Sequence, residues 1–178
     1  MLLHLVHPIR ILIVTLWLLL SAATSAIAAE THTFAVEAAE CIGNASRISD
    51  TGASGGTVVR LSRSGQGVRF THLPAESKLA IHYASVGVGT ISVTVNDEPV
   101  RKVNIHSSGA LTHSFLNAII DITIPSGATL IIRLTNDDIP VSIDRIVVGD
   151  GNLELPPDIW NLPPLPVAPV LILRTGRH

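Results

Sequence analysis

Apolar and polar residues alternate with a period of two along most of the chain, and this alternation limits the folds open to it. Successive side chains of a β-strand point to opposite faces, so the pattern predicts strands with one buried face. Val, Ile and Thr, which favour strands, dominate these segments. The pattern predicts about nine strands, at Phe34–Ala39, Thr57–Ser62, Gly67–Leu73, Lys78–Ser85, Gly89–Val95, Val100–His106, Ala118–Ile124, Ala128–Thr135 and Val141–Val148.

Turn-forming residues separate the predicted strands at regular intervals. Asn96-Asp97 before Pro99, and Pro125-Ser126-Gly127, are typical of turns. No long segment has the period of an amphipathic helix. Strands that recur every 8–12 residues or so, with no helices between them, indicate an antiparallel sandwich or barrel. We therefore expect an all-β fold, an antiparallel β-sandwich, between about residues 32 and 150.

The first 29 residues have the composition of a secretory signal peptide. Arg10 is followed by the apolar run Ile11–Leu20, and small residues then lead to Ala26-Ile27-Ala28, an A-x-A cleavage signal. The apolar run is shorter than the roughly 20 residues that span a bilayer. We expect cleavage after Ala28 or Ala29 and a secreted or periplasmic protein, with an uncleaved membrane anchor as the alternative.

The other end of the chain is rich in proline. Residues 153–178 contain six of the eleven prolines, which lack a backbone donor and favour extended, unpaired chain. This segment is interpreted as a linker or as a strap across the domain. The chain thus divides into a signal peptide (1–29), a β-sandwich domain (30–152) and a proline-rich tail (153–178).

Charge and cysteine content exclude some classes of function. Twelve Lys and Arg residues against fourteen Asp and Glu give a net charge of −2, without a basic block. Nucleic acid is therefore not an expected partner. Cys41 is the only cysteine, so the chain forms no intramolecular disulfide.

The histidines show no metal-ligand spacing. His72, His82, His106 and His113 lie in different segments, without a pattern such as H-x₃-H. The alternation of Lys78–Ser85 places His82 on the face opposite Ile81 and Tyr83, which predicts that His82 is exposed.

The segment Gly52-Ala53-Ser54-Gly55-Gly56 fits the G-x-S-x-G pattern of serine hydrolases. That pattern requires a helix after the serine, whereas the predicted strand Thr57–Ser62 follows here. Ser54, Asp97 and His106 give a catalytic order only on paper. We predict instead a glycine-rich turn, with positive φ or close backbone approach, and neither enzymatic activity nor catalytic residues.

Taken in order, the segments resemble carbohydrate-binding modules of families 6 and 35, which have a galactose-binding-like jelly-roll fold. FAVEAA resembles their opening strand, SDTGASGGTVVRL their Gly-Gly turn, ISVTVNDEPV a hairpin and VSIDRIVV the closing strand. The resemblance covers Phe34 to Val148. It implies a non-catalytic module that binds a polysaccharide or glycan, with any glycoside hydrolase acting in trans. The alternative is a structural or adhesive surface domain that has lost sugar binding.

The resemblance also implies a structural calcium between the first and last strands. Glu37 and Asp144 match the acidic ligands by position, whereas Ala35 stands where another Glu is common. Asp50, or carbonyls of the 49–56 turn, would complete the six to eight oxygens that calcium takes. Alternatively, Glu37 and Asp144 are solvated strand residues.

Three further residues match sugar-binding positions. Phe115 stands where a Trp often forms the stacking platform, and Asn152 where relatives carry a ligand-binding Asn. Arg60 lies after the Gly-Gly turn and has the geometry to bind a uronic-acid carboxylate. Thr57, where family 6 often has an aromatic, favours family 35. The alternatives are a core position for Phe115 and a solvated basic face for Arg60.

Overall fold

The computed structural model describes residues 30–151 and 153. The predicted signal peptide, the candidate ligand residue Asn152 and the proline-rich tail beyond Leu153 lie outside the described residues. The strands are β1 (Thr31–Ala35), β2 (Glu40–Ile42), β3 (Ser46–Ser49), β4 (Thr57–Leu61), β5 (Gly67–Leu73), β6 (Glu76–Ala84), β7 (Gly89–Val95), β8 (Arg101–Ile105), β9 (Leu116–Ile124), β10 (Ala128–Arg133) and β11 (Val141–Gly149).

The strands form two antiparallel sheets. The first sheet has the order β3-β4-β11-β6-β9, with β1 also paired to β11, and the second has the order β2-β5-β10-β7-β8. The predicted all-β antiparallel sandwich is therefore confirmed. The number of strands was predicted too low, because the described residues contain eleven. No helix among them is long and apolar enough to cross a membrane.

The core lies between the sheets, where the alternating apolar residues meet. Leu79, Ile81 and Tyr83 of β6 belong to the same core of buried, mostly aliphatic side chains as Leu130 and Ile132 of β10. The alternation thus assigned these faces correctly, because each strand buries one row of side chains. The scarcity of aromatic rings leaves this packing to Val, Ile and Leu.

The edges of the sandwich differ from the prediction. The predicted strand Phe34–Ala39 ends at Ala35 and continues as one turn of 3-10 helix at Val36–Ala38. The Arg47 guanidinium donates to the carbonyls of Val36 and Ala39 and so fixes this turn. The sequence pattern did not reveal β2 and β3, because three and four residues at a sheet edge carry too little alternation.

The face of the first sheet that points away from the core is covered in part by two connections, residues 50–56 and 106–115. Ser54 of the first connection donates to Asp144 of β11, and Leu111 of the second accepts from Arg60 of β4. The pairing of β11 with β6 shifts register between Ile143 and Arg145. This bulge lets Asp144 and Arg145 meet on the same face, so it builds the polar centre described next.

Candidate functional site

Asp144 lies at the centre of this covered face, and its side chain is 0% exposed. Oδ1 accepts from the Ser54 backbone N–H at 3.0 Å and from Ser54 Oγ at 2.9 Å. Oδ2 accepts from His82 Nδ1 at 2.7 Å and from the Arg145 guanidinium at 2.8 Å. The carboxylate therefore joins β6, β11 and the 50–56 connection.

The environment of Asp144 keeps it ionised. Burial by itself raises the pKa of the Asp144 carboxyl, but the hydrogen bonds from His82 and Ser54 outweigh burial. The net result is a pKa below the ordinary range for aspartic acid. An ionised acceptor in turn holds the His82 imidazole with Nδ1 as the donor.

His82 supports the ring of Phe115. The two rings are stacked, with centroids 5.0 Å apart and an angle of 22° between their planes. Phe115 is partly buried and lies outside the buried core cluster, so the alternative of a core position is wrong. The prediction that His82 is exposed is also wrong, because Asp144 and Phe115 leave only 13% of its side chain accessible.

A second buried carboxylate, Asp50, fixes the connection that leads to Phe115. Its Oδ2 accepts from the His113 backbone N–H at 2.9 Å, and its Oδ1 accepts from the Gly52 N–H at 2.9 Å. His113 Nδ1 lies 2.5 Å from Oδ1. Burial by itself raises the pKa of the Asp50 carboxyl. The backbone hydrogen bonds from His113 and Gly52, together with the His113 imidazole, lower the pKa by more than burial raises it, so the pKa lies below its ordinary range.

The segment 52–56 is the glycine-rich turn that the sequence predicts. Gly56 has φ +77°, and the Ser54 hydroxyl donates to a buried carboxylate instead of facing a histidine as a nucleophile would. Asp97 and His106 lie at opposite ends of β8, a strand of five residues that is about 16 Å long. Ser54, Asp97 and His106 therefore do not form a catalytic triad.

Arg60 is neither a free ligand-binding group nor a solvated one. Its Nε donates to Ser142 Oγ at 3.3 Å, and one terminal nitrogen donates to the Leu111 carbonyl at 3.2 Å. The guanidinium thus ties the 106–115 connection to the first sheet. The structure places Arg60 on the same face as Phe115, but in a supporting position.

The residues predicted to hold calcium do not form a site that fits the ion. Both oxygens of Asp144 and both oxygens of Asp50 accept from protein donors, which at Asp144 include a guanidinium. Glu37 is exposed, with its carboxylate beside the α-carbon of Gly55. Among the described residues, no group of three or more His, Cys, Asp or Glu is placed to hold a metal. Calcium binding therefore stays an untested prediction of the resemblance.

Removal of calcium offers a direct measurement. Calcium at 100 times its dissociation constant would stabilise the fold by about 2.7 kcal/mol, equivalent to several degrees in melting temperature. Because protein donors already occupy the oxygens of both carboxylates, we expect melting in EDTA and in calcium to agree within about 1 °C, well inside that shift. A chelator-dependent fall of several degrees would instead establish the calcium site.

Three residues that the sequence did not single out for binding complete the site. Arg145 and His82 donate hydrogen bonds to Asp144, and the His113 backbone N–H donates to Asp50. Arg145 adjoins Asp144 in sequence, but an unbulged strand would have sent the two side chains to opposite faces. The alternation of β6 predicted only that His82 is exposed. No local sequence feature indicated that His82 and His113 contact buried carboxylates.

Solved structures share the architecture of this chain. An exo-β-1,3-galactanase from Phanerochaete chrysosporium with galactose superposes with a TM-score of 0.61 at 20% identity, covering 67% of this chain and 29% of that one. The catalytic domain of a GH87 α-1,3-glucanase with tetrasaccharides gives 0.60 at 17% identity, covering 72% and 29%. The chain thus spans less than a third of these two enzymes.

A family 35 carbohydrate-binding module from Clostridium thermocellum matches over nearly its whole length. The TM-score is 0.58 at 21% identity, covering 66% of this chain and 98% of the module. The predicted resemblance is thereby confirmed at the level of the fold, and the chain is an antiparallel β-sandwich with the fold of that module. A family model described as delta endotoxin matches residues 31–148, and the chain belongs to that family. None of the motifs described above indicated this membership. A comparison with curated proteins finds no match.

Proposed function

We propose that the domain is an exported, non-catalytic module that binds a polysaccharide or glycan through the outer face of its first sheet. The observation that carries the proposal is the position of Phe115. Its ring lies outside the core, partly accessible, and is backed by His82, which the buried Asp144 holds in place. An aromatic ring that is fixed from behind is suited to stack on the apolar face of a sugar.

The surroundings of the ring supply polar groups. The Arg145 side chain is 21% exposed beside Asp144, and the exposed His113 lies two residues before the ring in the chain. Few polar groups placed around one apolar contact are what sugar recognition requires, because hydrogen bonds orient a ligand that the ring holds. The saccharides named with the two enzyme structures support a panel of β-1,3-galactan and α-1,3-glucan as first probes.

The membership in the delta endotoxin family is compatible with this proposal. Attachment to a glycan-bearing surface is a step that serves a toxin and a polysaccharide hydrolase alike. A glycoside hydrolase that acts in trans on the same polymer is the partner class that follows.

The alternative is a structural or adhesive domain without a sugar site. The observation that favours it is that His82 already covers one face of the Phe115 ring, and a ring needs its other face free to serve as a platform. The two functions therefore differ in whether the accessible part of the Phe115 ring binds a sugar.

Retention on immobilised polysaccharides tests the proposal. The protein would be passed over β-1,3-galactan, α-1,3-glucan, an acidic galacturonan and bare resin, with and without EDTA. Selective retardation on one polymer, abolished by the soluble oligosaccharide, is the expected result. A folded protein that no polymer in a broad glycan panel retains would move the assignment to the structural alternative.

A further inference from the structure

His113 adopts a left-handed backbone conformation that residues other than glycine seldom adopt. Its φ is +62°, in the left-handed region where a side chain bearing a Cβ is strained. Strained residues of this kind persist only where their surroundings determine them, and they concentrate at functional sites.

The surroundings of His113 are built to keep that conformation. The buried Asp50 accepts its backbone N–H at 2.9 Å and faces its Nδ1 at 2.5 Å. Gly52 leaves room for it, because a Cβ there would lie 2.9 Å from the His113 α-carbon. Two elements of the 50–56 connection therefore act on this one residue.

The imidazole does not contribute to the core. Its side chain is 64% exposed, and it is absent from the buried cluster. A carboxylate that faces Nδ1 favours the tautomer with the proton on that nitrogen, so Nε2 of the neutral ring is a hydrogen-bond acceptor. Nothing in the described residues accounts for an exposed ring held so firmly in a strained position.

His72 shows what such a histidine looks like without this framework. It has nearly the same φ, +59°, and is also exposed, but it lies at the end of β5 in the second sheet. Its Nδ1 contacts only the hydroxyl of the neighbouring Thr71, at 3.1 Å. The buried carboxylate is thus particular to His113, two residues from Phe115.

We propose that His113 is a ligand-contacting residue, whose fixed Nε2 accepts a hydrogen bond from a hydroxyl of the sugar stacked on Phe115. This inference rests on the proposed function and assigns it a specificity-determining group. Asp50 and Gly52 are positioning residues, because they act through His113. An acceptor that Asp50 holds, two residues from Phe115 in the chain, selects ligands by the position of one hydroxyl.

The test uses His113→Gly, with His72→Gly as its matched control. Glycine keeps the backbone N–H for Asp50 and tolerates positive φ, so both variants remove a ring while relieving the same strain. On the polymer that retains the wild type, we expect His113→Gly to lose about tenfold or more in affinity, the effect of about 1.4 kcal/mol. We expect His72→Gly to bind as the wild type does and to melt at or above the wild-type temperature. His113→Gly should melt lower than His72→Gly, because it also removes the imidazole that faces the buried Asp50.

Three outcomes separate the inference from the proposed function. If His113→Gly binds within twofold of the wild type while Phe115→Ala does not bind, the role of His113 is overturned and the module stands. If the wild type binds no polymer in the panel, both are overturned. If His113→Gly fails to fold, the imidazole NMR signals of the wild type decide. Saturating oligosaccharide should shift the His113 signals and leave those of His72 in place, and unshifted His113 signals would overturn the inference.

Discussion

Replacement of Asp144 by alanine is expected to lower the free energy of unfolding by about 3–5 kcal/mol, the cost of removing one partner of a buried ion pair. The change removes the hydrogen-bond acceptor of the Arg145 guanidinium, the His82 imidazole and the Ser54 donors, and leaves an apolar gap between them. Urea unfolding, followed by circular dichroism, measures the effect. Such a loss is a large part of the stability of an ordinary domain.

Asp121→Ala is the matched control for this variant. Asp121 also lies in a strand of the first sheet and pairs with Lys78 at 2.9 Å, but on the open surface. Exposed ion pairs contribute little, so its unfolding midpoint should stay close to that of the wild type. Equal losses for both variants would contradict a central role for Asp144.

The same carboxylate predicts a dependence of stability on pH. The folded-state pKa of Asp144 lies below its ordinary value, so the unfolded state binds the proton more readily. The contribution of Asp144 to stability is therefore complete above its unfolded pKa, near 3.9, and is lost as pH falls through the folded-state value. The difference in stability between the wild type and Asp144→Ala should narrow correspondingly below about pH 4.

Phe115→Ala is expected to abolish retention on the polymer that binds the wild type, with only a small loss of stability. The ring stacks on His82 but lies outside the core, so the stability at stake is about 0.5–1.5 kcal/mol, the contribution of one aromatic pair. The sugar, by contrast, loses its apolar platform. Affinity electrophoresis in soluble polymer and urea unfolding measure the two effects on the same preparation.

Phe70→Ala serves as the control, because Phe70 of β5 is 3% exposed within the core. It should cost about 3–5 kcal/mol in stability and should keep binding wherever the protein remains folded. A Phe115→Ala protein that still binds would remove the main support for the glycan site. A loss of stability equal to that of Phe70→Ala would show that the ring serves packing.

The sequence was informative wherever one strand could be judged by itself. The alternation in β6 places Ile81 and Tyr83 in the core correctly, and the glycines before Thr57 predict a turn that the structure confirms. What it could not show depends on contacts between distant segments. Ser54 and Asp144 are ninety residues apart in the chain, and the bulge that brings Arg145 beside Asp144 has no local signature.

The same limit applies to the histidines and to the predicted calcium ligands. A histidine opposite an apolar row is expected to be solvated, and only the register of β6 with β11 shows that His82 meets a buried carboxylate. Resemblance supplied plausible metal ligands by position. It could not reveal that Arg145, His82 and His113 already contact the oxygens of these two carboxylates.

The pairing of β1 with β11 has a consequence for how the domain can be used. Thr31 lies opposite Gly149, so the chain enters and leaves the sandwich side by side. On β6, Lys78 is paired with Gly149 and Tyr83 with Ile143. The points where the chain enters and leaves the sandwich therefore lie about 17 Å along the strand from the level of Phe115. Both ends of the domain therefore lie next to each other, away from Phe115. It can be spliced into a host loop, or circularly permuted across its ends, without crossing the face proposed to meet the glycan.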